Sequence, residues 1–117
     1  DWFKYWKKRM PNPLADAESL VLDKKNYILD IGRKVKSIKK IQGQYIGLTK
    51  LSKNITKDFL NVWINLKKNK KNLKKLNNLY ITDFFRILIR KKFRPKAIFV
   101  KRKWLEFDTI EDLKINF

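Results

Sequence analysis

The spacing of apolar positions changes along this chain, and the changes mark out its elements. Trp2, Phe3 and Trp6 recur at i, i+1 and i+4, which places them on one face of a helix over residues 1–10. Lys7, Lys8 and Arg9 follow where the helix dipole favours cations, and Pro11 and Pro13 break the pattern. From residue 18 to 52 the pattern is that of β structure. Residues 19–22 are a short apolar run, 23–26 (Asp-Lys-Lys-Asn) a polar turn and 27–31 a second run, so the pair reads as a hairpin. Gly32 permits an unusual backbone angle just after it. Residues 42–51 read as a third strand with Tyr45, Ile46 and Leu48 buried.

Beyond this point the spacing becomes helical. Phe59, Leu60, Val62, Trp63 and Leu66 share a face, with Thr56 as the cap and Asp58 in the first turn. Residues 67–75 are almost all Lys and Asn and read as a solvated helix end and connection. Leu73, Leu76, Leu79 and Tyr80 open a second helical stretch, which Phe84, Ile87 and Leu88 continue to Lys92 before Pro95 ends it. Residues 97–100 are continuously apolar, as in a strand buried on both faces, and the run extends through Trp104 and Leu105 to Phe107. Thr109 caps a last short helix with Glu111 and Asp112 in its first turn. Strands, two helices, a strand and a helix make an α/β layout, and no repeat or linker divides residues 1–117 into two domains.

Composition removes several chemistries. At 44% hydrophobic residues the chain has material for a core and is not a disordered tail. It has no cysteine and no histidine, which excludes disulfides, thiolate catalysis, imidazole bases and Cys/His zinc sites. An intracellular, cytoplasmic protein fits. No apolar run approaches the roughly 18 residues of a membrane span, and no signal-peptide pattern opens the chain. The chain begins at Asp1 inside a helical pattern, so a fragment or processed product is expected.

The net charge of +19 suggests a polyanionic partner: nucleic acid, an anionic membrane surface or a phosphorylated substrate. Of the 30 basic residues, however, only six are Arg, the side chain that phosphate and base recognition favours. An AT-rich genome gives the same Lys and Asn bias with no binding role. A nucleic-acid-binding module is the alternative reading, resting on aromatics interleaved with the charge (Trp2, Tyr5, Trp6, Phe93, Trp104). No helix-turn-helix, RNP or zinc pattern accompanies them, so no specific nucleic-acid partner is expected.

The scarce acidic residues carry more information. Asp16 and Glu18 lie after the prolines, and Glu106, Asp108, Glu111 and Asp112 gather near the end. Asp108 follows an apolar run and precedes a helix. Ligands of open α/β sheets bind at such strand ends, and a carboxylate there suits Mg²⁺, although Asp108 as a plain helix cap fits the same pattern.

Four segments, in order, resemble choline-phosphate and sugar-phosphate nucleotidyltransferases. They are DWFKYWKKRMPNPLADAESL, the pair YILDIGRK and IQGQYIGLTKLSK, the helix NLYITDFFRILI, and KWLEFDTIEDL. Together they cover nearly all of the chain. The resemblance implies the C-terminal part of a Rossmann-like mixed-sheet fold. It implies transfer of a nucleotidyl group, from CTP by preference, to a phosphorylated small acceptor such as phosphocholine or a sugar phosphate, with release of pyrophosphate and with Mg²⁺ as cofactor. Nucleotide-sugar or phosphocholine activation for the cell envelope is the setting it suggests.

By the same resemblance Asp108 is the Mg²⁺ ligand, and Lys34 is the catalytic Lys that meets the acceptor phosphate. Gly43, Gln44 and Tyr45 line the acceptor pocket, Glu106 supports the metal, and Asp16 and Glu18 contact a cationic head group. Plainer alternatives stand beside these: Lys34 as one more surface Lys, Gly43 as a turn residue, Asp83 as a helix-capping or packing residue rather than a substrate ligand, and Trp104 as core rather than part of an aromatic cage. The family's Gly-rich nucleotide loop is missing, since Gly32, Gly43 and Gly47 are the only glycines and none lies in such a loop. The 117 residues are therefore expected to be a single partial domain, the acceptor-binding half without the NTP-binding half, and inactive alone. A homo-oligomer is left open.

Overall fold

A computed structural model describes residues 2–69, 73–101 and 104–115, with the side chains of Leu73 and Lys75 left out. Residues 70–72 of the Lys-rich run, and 102 and 103 within the last apolar run, lie outside the described residues. The chain opens with helix α1 (Trp2–Arg9) and a 3₁₀ turn (Pro13–Ala15). Strands β1 (Glu18–Leu22) and β2 (Ile28–Lys34) follow, then a 3₁₀ turn (Ile38–Lys40) and helices α2 (Lys53–Lys68), α3 (Leu73–Leu76) and α4 (Ile81–Arg90). A final 3₁₀ helix spans Glu111–Lys114.

The hairpin forms where the sequence places it. The Asp23 carboxylate accepts from the backbone N–H groups of Lys25 and Tyr27 at 2.8 and 2.9 Å, and Asn26 takes the left-handed conformation (φ 65°) that Asn tolerates. β1 and β2 then pair antiparallel, with Glu18 opposite Lys34, Leu20 opposite Ile31 and Leu22 opposite Ile28. Gly32 also has a positive φ, 74°. A Cβ there would lie 2.4 Å from that of Thr82, so this position needs glycine for two independent reasons.

α4 packs on β2 and buries Thr82, Phe84, Phe85 and Leu88. Asp83 accepts from the N–H of Tyr80, ion-pairs with Arg86 and caps the helix as the plainer alternative holds. Arg86 in turn donates to the carbonyl oxygens of Ile31 and Gly32, tying α4 to β2. Phe59 and Trp63 of α2 meet Phe84 edge-on at 5.0 and 5.6 Å. With Leu20, Leu22, Ile31 and Val62 these residues form the main core. A second, smaller cluster joins Trp6, Ala17 and Ile41 to Trp2, Tyr5, Leu14 and Trp104.

Several sequence expectations are corrected. Residues 42–51 form no strand. Ile41 makes one isolated parallel bridge to Leu20, and beyond it the edge of β1 is taken by side-chain amides. Gln42 accepts from the N–H of Leu22 at 2.6 Å, and Gln44 bonds both backbone groups of Glu18. Once those groups are satisfied, a further ladder has nothing to bind. Tyr45 and Ile46 are only half-buried and Leu48 is 77% exposed.

Residues 97–100 are not a buried strand either. They hold to the sheet only near one end, through the Tyr27–Lys96 bridge and the Ala97 N–H to Asn26, and Ile98 is 86% exposed. Residues 104–107 belong to no strand. Leu60 of α2 faces solvent. The α2 N-cap position is Ser52, whose carbonyl accepts from the Thr56 hydroxyl, so Thr56 sits inside the helix and does not cap it. α4 stops at Arg90, before Pro95, because Lys92 turns left-handed (φ 67°) and Phe93 N–H returns to Leu88. Mixed α/β is therefore what the described residues show, with a two-stranded antiparallel sheet.

Candidate active site

The C-terminal end of α1 supplies the anchor of the site. Arg9 lies one helical turn after Trp6 and Tyr5, and its guanidinium sits 5.3 and 5.6 Å from their ring centroids. Its side chain is 2% exposed. A charge so buried requires counter-charges and hydrogen bonds, and residues 106–112 provide three carboxylates. Arg9 Nη1 donates to Glu106 at 3.1 Å, Nη2 to Asp108 at 2.5 Å, and Nε to Asp112 at 3.0 Å.

Asp112 serves a second purpose as well. Its Oδ2 accepts from the backbone N–H groups of Asp108 and Thr109 at 2.9 and 3.0 Å, and so shapes the turn that carries Asp108. Tyr5 fixes the neighbouring backbone. Its hydroxyl donates to the carbonyl oxygen of Glu106 and accepts from the Glu106 N–H. Trp104 stacks on Trp6 (5.9 Å, 15°) and is core, as its plainer alternative holds.

The electrostatics follow from this packing. Burial acts to lower the Arg9 pKa, but hydrogen bonds to Asp112 and Asp108 and the charges of Asp112 and Glu106 outweigh it and drive the pKa up. The Asp112 carboxyl is held well below the usual range by its bonds to Arg9 and to the turn. Glu106 moves the other way. Burial raises its pKa, the charges of Asp108 and Asp16 add to that, and Arg9 only partly offsets them.

The other expected residues lie around β1. Asp16 accepts from the Trp6 indole N–H at 2.9 Å, on the Glu106 side of the cluster. Lys34 is exposed at the end of β2, opposite Glu18, and donates to the carbonyl of Ala15, next to Asp16. Gln44 grips the Glu18 backbone. Asp16, Glu18, Lys34 and Gln44 are thus neighbours, and the charge of Asp16 is felt at Glu106. Gly43 and Tyr45 sit toward the main core. A Cβ at Gly43 would press on Leu20 and Phe99, each at 3.3 Å, while Tyr45 meets Phe85 and bonds Thr49.

Sequence reading singled out Glu106 and Asp108 but missed the residue that joins them. Arg9 read as a helix-end cation, and nothing local distinguishes it from Lys7 and Lys8. The available signal was its identity, one of six Arg among 30 basic residues. Among the described residues no group of three or more acidic side chains is placed to hold a metal ion; the three that converge do so on Arg9. Asp108 nevertheless remains accessible at 60% side-chain exposure, and Glu106 at 39%.

Comparison with known proteins bears on the kind of protein the chain is related to. No family model and no solved structure matches the chain. It is 35% identical over 116 residues to the CTP:phosphoglutamine cytidylyltransferase of Campylobacter jejuni subsp. jejuni serotype O:2, a match that takes in 98% of this chain and 46% of that protein. The chain thus spans under half the length of the curated relative it matches. Over nearly all of its own length it is related to a nucleotidyltransferase of the cytidylyltransferase kind.

Proposed function

We propose that this chain supplies the acceptor side of a CTP-dependent cytidylyltransferase. The supporting observation is the 35% identity to a cytidylyltransferase across 98% of the chain. The cluster at residues 106–112 is consistent with it. In the proposed reaction an oxygen of the acceptor phosphate attacks the α-phosphorus of CTP, a new P–O bond forms, and the bond to pyrophosphate breaks. Little covalent chemistry falls to the protein; its task is positioning and charge neutralisation.

Lys34 is exposed, and one of its three N–H groups is engaged by the Ala15 carbonyl, so the others are open to the acceptor phosphate. Gln44 holds the backbone of Glu18 in place beside it. Asp16 and Glu18 give this side an anionic character that suits an acceptor bearing an ammonium group. The relative's name points to phosphoglutamine, and a phosphorylated amino-acid derivative with a free amino group is the acceptor class we favour over phosphocholine and sugar phosphates.

Asp108 and Glu106 fit Mg²⁺ by donor chemistry. Both offer hard carboxylate oxygens, and Mg²⁺ is commonly held by one or two carboxylates with substrate phosphates completing its shell. When bound, the ion would neutralise the charge on the transferring phosphates.

A pyrophosphate-release screen of the full-length protein tests the reading. CTP, UTP, GTP and ATP are each combined with phosphoglutamine, phosphocholine and a sugar phosphate. Turnover with CTP and the amino-acid acceptor is expected, and Asp108→Ala should lower Mg²⁺-dependent turnover by about 10²-fold or more while leaving the fold intact. Retained turnover in Asp108→Ala refutes the metal assignment, and no turnover with any pair refutes the enzyme reading.

A further inference from the structure

The geometry points to Arg9 as a positioning residue for the cation site: it binds one oxygen each of Glu106 and Asp108 and leaves the second oxygen of each for a metal–phosphate ligand. This rests on the function proposed above and adds to it a residue to which the resemblance assigns no role.

The three carboxylates around Arg9 are not equivalent. Asp112 is fully used: Oδ1 accepts from Arg9, and Oδ2 accepts from Arg9, from two backbone N–H groups and from the Thr109 hydroxyl. It is buried, at 4% exposure. Glu106 and Asp108 differ from it. Arg9 takes only Oε2 of the first and only Oδ2 of the second, and among the described residues the other oxygen of each makes no hydrogen bond or ion pair. Both side chains keep solvent access.

A planar guanidinium with donors in a fixed fork sets the separation of the carboxylates it bridges, and an ammonium cannot do so. Rings on α1 hold that fork, and the cluster sums to −2, from three carboxylates and one guanidinium. Without Arg9 the same side chains would repel one another and spread. The backbone of residue 106 is secured separately by Tyr5, so loss of Arg9 releases the side chains before it releases the chain.

The test uses the full-length protein and Mn²⁺ as the probe, followed by electron paramagnetic resonance without nucleotide. Thermal unfolding and the Mg²⁺ dependence of pyrophosphate release are read in parallel. Arg9→Lys is expected to stay folded and to bind Mn²⁺ about tenfold or more weakly, with the Mg²⁺ requirement rising in step, because residues that orient metal ligands cost about 10–100-fold when changed. Arg33→Lys, a control at an exposed Asp30 pair, should bind Mn²⁺ like the parent.

A folded Arg9→Lys with the parent's Mn²⁺ affinity overturns the proposal. If Arg9→Lys does not fold, Arg9→Gln is read the same way, and failure of both to fold makes Arg9 a folding residue and equally overturns it. Turnover by the parent protein tests the enzyme reading separately. With no turnover, Mn²⁺ binding by the parent and its weakening in Arg9→Lys still decide the role of Arg9, and a parent that binds no Mn²⁺ sinks it.

Discussion

At Asp112 a single carboxylate couples tertiary structure to pH. Its pKa is depressed in the folded state, first by the bonds from Arg9 and then by the turn N–H groups. A depressed folded value means that the stabilisation is complete above the unfolded value, 3.8, and is lost as pH falls below that toward the folded one. Asp112→Asn should therefore lower the thermal midpoint at neutral pH and flatten its decline below about pH 4. Glu106 has the opposite sign, because its raised pKa makes the ionised form slightly unfavourable to folding at neutral pH. Midpoint-versus-pH curves that run parallel in parent and variant would contradict this role for Asp112. The sequence made Glu106 and Asp108 legible by their place after an apolar run. It hid Arg9, because its partners lie 97, 99 and 103 residues away and a local pattern carries no trace of such a pairing.

Among the elements, α4 carries the core. Phe84, Phe85 and Leu88 are each at most 6% exposed, and Phe84 is the ring against which both aromatics of α2 pack. Phe84→Ala should cost about 3–5 kcal/mol, through lost burial and a cavity that two edge-on rings cannot readily fill. Leu29→Ala on β2, where the side chain is 57% exposed, should stay within about 0.5 kcal/mol. Urea midpoints measure both, and equal shifts would mean that α4 does not pack as described. Helices α1, α2 and α4 and the hairpin were legible because 3.6-residue and 2-residue periods are local signals and the Asp-Lys-Lys-Asn turn bonds itself, but the stretch read as one helix from Leu73 to Lys92 is divided between α3 and α4. Residues 42–51 and 97–100 were not legible, because a strand is completed by a partner. In the first case Gln42 and Gln44 side chains stand in for the ladder, and in the second the backbone bonds to the hairpin come from Pro95 to Ala97, at the start of the run. Apolar runs of this kind report what a segment prefers to contact, not whether the contact is there.

On the scale of the whole molecule the packing is open. The radius of gyration is 16.0 Å, against about 13 Å for a compact domain of this length. The excess coincides with apolar side chains that the described residues do not cover. Ile98, Phe99 and Val100 are 86, 52 and 56% exposed, and Ile110 and Leu113 are 72 and 68% exposed. Apolar exposure that continues along one segment is more than the isolated surface Leu or Ile common to soluble domains. In isolation the 117 residues should therefore bind a solvatochromic hydrophobic dye in their native baseline, before any unfolding. Ile98→Lys and Ile110→Lys should each reduce that binding. Because both side chains already face water, neither change removes buried area, and each should shift stability by no more than about 0.5 kcal/mol. Dye titration and thermal unfolding on the same samples separate the two quantities. A Lys substitution that lowers stability by about 2 kcal/mol or more would show that its position is buried in solution, and the open packing would then not describe the isolated chain.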